Sequence, residues 1–435
     1  MNTIMIIFLF CSLSVNLATA ATKYILEDIS FGNNCVPSVI NDLGQVAGEY
    51  QAQIGYYKFF FWDPQTGGQD MGFNPETYLD ITGINNVGQV VGQWGADGFV
   101  WDEMQGTRWL PKLTYESWAC CLPQDINDFG CIVGGATTQS GSGTAAWWDP
   151  QGNIHSLGVH GYQWTDSYGI NNRGEIVGNA NLNGIINLLL WDERGSLRDL
   201  GIPPGLFRVE PRAITESSRI AGWIEAPLNR TRYAFLWDEA SGFQLFLGTG
   251  ENSHAYDMNY RGQIVGERGY KGYVWQDGHV GDLASLTENM NGGSIHTAYG
   301  INNYGLICAY GRLKSGLPRA FLLHPVLQVA IDIRPDEPEP APVNLKSHGK
   351  LPVALYGSTE VDVSTLLPET LTLAEAPCLS GQLTDVNGDG IEDLLLHFST
   401  QALQLGAGAP QVRLDGRTVH GQFIRGYGYV KVVGR

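Results

Sequence analysis

Ile40-Asn41-Asp42-Leu43-Gly44-Gln45-Val46-Ala47-Gly48 is the first complete copy of a phrase, Ile-Asn-x-x-Gly-x-x-x-Gly, on which the reading of the whole chain turns. The phrase recurs around Asn85, Asn127, Asn171 and Asn259. A copy at Asn302 has Ala309 in place of its second glycine, and a copy at Thr215 has Ser218 in place of its first. Neighbouring copies lie 42–44 residues apart. So regular a period in a Gly-rich chain marks a repeat architecture, each copy being one supersecondary unit that cannot bury its apolar face alone.

Each unit reads as four short strands. Ser38-Val39-Ile40 is strand a of the first and Gln45-Val46-Ala47 is strand b. The Asn-Asp-Leu-Gly between them suits a type I turn whose last residue is left-handed, a conformation glycine adopts cheaply. The second glycine is expected to allow close backbone approach where units converge. Strand c ends in Trp in six units, from Phe60-Phe61-Trp62 to Tyr273-Val274-Trp275, but in the seventh it reads Phe321-Leu322-Leu323-His324. Strand d is a short Leu-bearing segment such as Leu197-Arg198-Asp199-Leu200. Four strands per ~44 residues is the size of a propeller blade. The chain opens with a lone d-type segment, Tyr24 to Ile29, and the seventh unit stops after strand c near Pro325. The first segment is therefore expected to complete the last unit and leave no free sheet edge. The expectation is an all-β chain: a seven-bladed β-propeller closed by an N-terminal strand, followed by a small β-sandwich.

The repeated phrase with its apolar-x-Trp strand resembles the HAF-type extracellular repeats of secreted bacterial proteins, over about residues 22–326. The resemblance implies an exported protein and supplies no agreed activity and no catalytic residues. Residues 1–20 lack Asp, Glu, Lys and Arg, contain the apolar run Ile4–Phe10 and end in Ala18-Thr19-Ala20, the pattern of a signal peptide. A secreted, extracellular or periplasmic, monomeric protein without a membrane span is expected. The net charge of −18, with no Lys/Arg run, disfavours nucleic-acid binding. Beyond Cys11, six cysteines (Cys35, Cys120, Cys121, Cys131, Cys308, Cys378) leave disulfides and free thiols equally open.

Residues 327–435 break the rhythm. An acidic Pro-rich stretch from Pro335 to Pro342 precedes strand candidates such as Leu351–Tyr356 and Leu394–Phe398. From Ile331 to Gly390 the segment resembles an accessory module carried by secreted bacterial proteins. Within it, Asp385-Val386-Asn387-Gly388-Asp389-Gly390-Ile391-Glu392-Asp393 has the oxygen spacing of a calcium loop. Asp385, Asn387, Asp389, the Ile391 carbonyl and Asp393 would be the ligands of a structural calcium ion. Leu396 stands where an EF-hand has its Glu, so the loop is nearer a dockerin-like or integrin-repeat variety. The other reading is a turn held by its own side-chain-to-backbone bonds.

The a-to-b connections are uniformly four-residue turns, whereas the d-to-a and b-to-c connections vary and share the opposite face. Function is expected on that variable face. Tyr115 with Trp118, and Tyr162 with Trp164, are the candidate rings for gripping a glycan or cell-surface component. Arg212, His254 and Asp257, with Asp125, are candidates to line the channel mouth. No H-E-x-x-H, G-x-S-x-G, P-loop or dinucleotide motif is present. A non-enzymatic binding or structural protein is thus the leading expectation. The alternative is a carbohydrate-active enzyme, hydrolase or lyase, with carboxylates at the channel mouth.

Overall fold

The computed structural model describes residues 22–53, 56–72, 78–246, 251–314, 316–335, 337–405 and 411–433. The expected signal peptide at 1–20 lies outside the described residues. The chain is all-β with a propeller arrangement, and its α-helix among the described residues is the four-residue Leu283–Leu286.

The first repeat forms the antiparallel meander Asn33–Ile40, Val46–Gln53, Tyr56–Asp63 and Gly67–Asp70. The second (from Leu79–Ile84), third (from Cys121–Ile126) and sixth (from Ser253–Met258) do the same. The fourth (Trp164–Ile170, Ile176–Leu182, Ile185–Trp191, Leu197–Gly201) and fifth (from Arg208–Ile214) are meanders joined by one parallel bridge, Ile186 to Arg208. The seventh repeat supplies Ser294–Ile301, Ile307–Arg312 and Pro318–Val329. Its fourth strand is Lys23–Asp28, antiparallel to Pro318–Val329, with Ile25 opposite His324 and Asp28 opposite Phe321.

The turn asparagine explains why the phrase repeats. In the first unit the Asn41 side-chain oxygen accepts from the backbone N–H groups of Leu43 and Gln45. Its amide donates to the Gln45 side chain at 2.7 Å and to the Asn85 carbonyl of the next unit at 2.9 Å. Two donors and two acceptor lone pairs are all used, and only an amide of this length offers both. The same inter-unit bond runs from Asn85 to Asn127, Asn127 to Asn171, Asn171 to Thr215, Asn259 to Asn302, and Asn302 to Asn41. The first glycine is left-handed as expected, with φ 76° at Gly44 and 59° at its replacement Ser218.

The second glycine serves a different contact from the one expected. Strand a bulges within each unit, between Pro37 and Val39 in the first and between Pro211 and Ala213 in the fifth. The bulge turns a carbonyl of the same unit onto the glycine. A Cβ on Gly48 would lie 2.2 Å from the Val36 oxygen, and one on Gly222 2.2 Å from the Glu210 oxygen. The approach is intra-unit. Ala309 is tolerated because the seventh unit has a further bulge between Ile295 and Thr297, and the close approach moves to Gly311, 2.2 Å from the Ser294 oxygen.

The apolar cores lie between units. Phe59 and Phe61 of the first pack with Ile81, Phe99 and Trp101 of the second. Phe60 and Trp62, on the alternate face, pack with Leu306, Cys308 and Leu322 of the seventh. First and last units thus share one core. The six cysteines are all free thiols.

Residues beyond 326 form two sheet portions around one core that includes Leu351, Val353, Leu396, Phe398, Leu414 and Ile424. One runs Ile331–Ile333, Lys350–Leu355, Asp393–Ser399 and Ala376–Thr384. The other is built on Gln411–Arg417 and Phe423–Val432. The expected break at 326/327 falls inside a strand: Pro318–Val329 continues through it, and Val326 to Val329 pair in parallel with Phe423 to Gly426. The described residues of the Pro-rich stretch follow Ile331–Ile333 and run into the strand Ala341–Val343, within this second part.

Candidate functional site

Gln45 of the first a-to-b turn donates to Asp63 of the c-to-d turn at 2.9 Å, so both turn sets share one face and the variable loops occupy the other. On that variable face, three positions of each repeat supply residues to the channel mouth. Counted from the turn residue they are five before, three before (the bulged residue) and eight after. They bring together Asp80, Asp166, Glu210 and His254; Tyr168, Arg212, Tyr256 and Tyr299; and Glu49, Asn179, Trp223 and Glu267.

The fifth and sixth units form a cationic sector. Arg208 and Arg212 each bind the buried Glu210 carboxylate, at 2.8 and 2.5 Å. Arg232 and Arg230 pair with Glu225, only 1% exposed, at 3.1 and 3.5 Å. Arg232 and Arg208 stand 4.2 and 5.3 Å from the centre of the buried Trp223 ring, a cation–π arrangement. The edge of His254 meets the same ring at 5.9 Å. Burial, then the charges of Arg232 and Arg212, push His254 down to about 4, so its imidazole is neutral. His254 stacks on Tyr256, which stacks on Tyr299, at 5.7 and 5.6 Å.

The remaining sectors are acidic. Burial, then the charge of Asp80, pushes Glu49 up to about 8. Asp80 is itself raised by burial. Asp166 is pushed up to about 7 by burial and then by Glu210, against the hydrogen bond its Oδ1 accepts from the Ser167 N–H. Beside Asp166 a cleft of about 380 Å³ is lined by Trp164, Tyr168, Arg208, Thr137, Thr144 and Cys120, among others.

Of the residues singled out from sequence, Trp164, Arg212 and His254 come to this mouth. Trp164 opens strand Trp164–Ile170 and walls the cleft. Tyr115 (82% exposed) and Trp118 (49%) stand on the loop before Cys121–Ile126, with Trp118 two residues from the cleft wall at Cys120. Tyr162 is turned away: its hydroxyl donates to Asp199 on the outer strand of its unit at 2.7 Å. Asp257 is not at the mouth either. Its carboxylate accepts from the Met258 and Ile301 N–H groups at 2.7 and 2.8 Å, a strut between the sixth and seventh units. Asp125 holds the Ile126 and Ile170 N–H groups in the same way. Glu49, Asp80, Asp166, Glu210 and Trp223 were missed as a site. They fall outside the repeated phrase, and only aligning the seven copies column by column brings them out.

The 385–393 loop spends its oxygens on itself. Asp385 accepts from the Gly388, Asp389 and Gly390 N–H groups, Asn387 from Asp389, and Asp389 from Ile391. The fully buried Asp393 accepts from Gly357 and Val386. Among the described residues no three His, Cys, Asp or Glu side chains converge as a metal cage. The donor types suit calcium, but their present partners are backbone N–H groups.

No protein-family model and no curated protein matches the chain. Solved structures are similar at the level of fold. Virginiamycin B lyase from Staphylococcus aureus is 11% identical, with TM-score 0.46, 69% of this chain and 99% of that chain covered. A putative TolB from Agrobacterium tumefaciens is 9% identical, with TM-score 0.40 and coverages of 59% and 92%. A copper-bound fungal alcohol oxidase is 10% identical, with TM-score 0.47 and coverages of 95% and 100%. Likeness this distant carries no argument about ligand or activity.

Proposed function

We propose that the chain is an exported, non-enzymatic binding protein of the HAF-repeat type. Its seven blades close into a ring, its C-terminal part is an accessory β-sandwich, and its ligand, a glycan or cell-surface component, sits at the channel mouth on the variable-loop face. Closure is supported by the Lys23–Asp28 pairing and by the Asn302 to Asn41 bond. The observation that carries the binding reading is the cleft beside Trp164, where an aromatic wall meets hydroxyls, a carboxyl and a guanidinium. An apolar ring face with a few convergent polar groups is the make-up of a sugar site. Glycan-panel binding tests it: Trp164→Ala is expected to weaken capture at least tenfold, with the melting temperature unchanged. Unchanged capture overturns the placement.

A second reading, a carbohydrate-active enzyme, is favoured by the elevated carboxyls Glu49 and Asp166, groups of the kind that donate protons near neutral pH. Turnover of any captured glycan, lost in Asp166→Asn, would select it. Calcium at the 385–393 loop belongs to the proposal as a weakly held structural ion, with affinity on the order of 10⁻⁴–10⁻³ M, since it would draw oxygens away from backbone N–H groups.

A further inference from the structure

The protein carries a net charge of −18, yet four guanidiniums gather on one sector of the mouth. Arg208, Arg212, Arg230 and Arg232 face two carboxylates, Glu210 and Glu225, which leaves two positive charges in surplus there.

This sector is not satisfied by protein groups. Arg208 Nε, Arg212 Nε and His254 Nδ1 are buried without a hydrogen-bond partner, as is Oδ1 of the fully buried Asn179. Arg232 Nη1 stands 3.3 Å from His254 Nε2. A guanidinium only donates, so Nε2 of the neutral ring accepts and the proton sits on Nδ1. With Glu225 Oε1 the sector has five such atoms, and three of them are N–H donors. The Arg208 and Arg212 side chains are themselves about a third exposed, at 37% and 35%, so a ligand bearing several acceptor oxygens can reach their guanidiniums from the mouth.

The donors stand beside the cleft. Arg212, on the fifth unit, stands 5.9 Å from the centre of the Tyr168 ring of the fourth. Arg208 forms part of the cleft wall with Trp164.

We propose that Arg208 and Arg212 receive the anionic group of an acidic sugar, a carboxylate or sulfate on a ring seated against Trp164. The inference rests on the glycan-binding reading and narrows it. Guanidinium forks match both kinds of anion. The rest of the surface is acidic and repels a long polyanion. The ligand is accordingly a short oligosaccharide or a chain end entering the mouth, not a polymer lying along the surface.

The test is calorimetric titration of the full chain with tetrasaccharides of one linkage ending in a neutral hexose, a hexuronate or a sulfated hexose. At least tenfold tighter binding of one acidic form is expected, and which one names the anion. Arg212→Gln should abolish that preference, read on the protein that a melting curve shows to be folded, since the variant also loses the Glu210 ion pair. If Arg212→Gln unfolds the protein, Arg212→Lys serves, keeping charge but losing the fork, with a smaller loss of preference expected. Equal binding of neutral and acidic forms overturns this inference and leaves the glycan reading standing. No binding of any form overturns both.

Discussion

The Asn302 side-chain amide donates to the Asn41 carbonyl at 3.0 Å, joining the last repeat to the first across 261 residues of chain. Its oxygen accepts from the part-buried Tyr304 N–H at 3.0 Å and the buried Leu306 N–H at 2.9 Å. Asn302→Ala would leave two N–H groups unpaired and the Asn41 carbonyl with only its bond from the Gly44 N–H, a loss of about 2 kcal/mol in chemical denaturation. Asn302→Asp would keep both acceptor bonds, lose the donor and add a buried charge, so it should be no better than alanine.

Thr215 interrupts the same series. It accepts the bond from Asn171 through its carbonyl, and its hydroxyl accepts from the Arg219 N–H, but it has no amide to send on to Asn259. Thr215→Asn is expected to supply the missing bond and stabilise the protein by about 1 kcal/mol. A lower melting temperature in this variant would show that the turn cannot accept the longer side chain.

Four acids at or near the axis set the pH dependence of stability. Glu49 is pushed up to about 8, Asp166 and Asp125 to about 7 and Asp257 to about 6, in every case mainly by burial. Each binds a proton more tightly folded than unfolded. Their stabilising contribution is therefore full below the ordinary carboxyl range and is lost as pH rises through these values. His254, held down near 4, acts oppositely between about 4 and its ordinary 6.5. With four groups against one, the melting temperature should be higher at pH 5 than at pH 8.5, most of the fall coming between pH 6 and 8. Glu49→Gln should flatten the upper part of that fall.

The repeat phrase made the propeller arrangement legible because one side chain, the turn asparagine, accepts two backbone N–H groups and donates to the next unit in six of the seven repeats. The departures were legible only as departures. Ser218 carries a left-handed φ of 59°, but its hydroxyl reaches Glu175 of the preceding unit at 2.8 Å, a partner 43 residues away that no local pattern announces. The channel mouth was half legible. Arg212 and His254 were seen because they are charged or titratable near the turn, whereas Asp166 and Glu210 acquire meaning only when separate units bring them together. In the C-terminal part, Ala376–Thr384 escaped notice because it is largely exposed and lacks the apolar alternation of a half-buried strand.

Asp385 separates the two accounts of the 385–393 loop. It accepts from three backbone N–H groups, that of Asp389 shared with Asn387, so Asp385→Ala should cost about 1 kcal/mol even in chelator. Calcium at about ten times its dissociation constant would add roughly 1.4 kcal/mol to the unsubstituted protein. The alanine variant should lose that increment as well. Melting curves of both forms in chelator and in millimolar calcium measure the two losses separately, and a variant that melts normally in chelator would show that the loop is not held by its own bonds.

His324 follows Leu323, which pairs with Ile307 and so stands where six other units have Trp, and it marks where the C-terminal part is docked. Its Nδ1 lies 2.7 Å from the Gly421 carbonyl and its Nε2 2.8 Å from Glu27 on the closing strand. Tyr304 stacks on His420 at 3.7 Å, Gln422 donates to the Tyr304 carbonyl, and Arg425 binds Glu288 at 2.7 Å. A Trp ring could not satisfy both partners of His324, since indole has one N–H and no acceptor. His324→Trp should therefore loosen the closing strand and the docked part together, while the second to fifth units keep their neighbours. Hydrogen exchange reads this directly: faster exchange is expected at the amides of 24–28 and 326–329, with those of 176–191 unchanged. Uniformly faster exchange would mean that the ring opens as a whole, and unchanged exchange would mean that the other docking contacts suffice without His324.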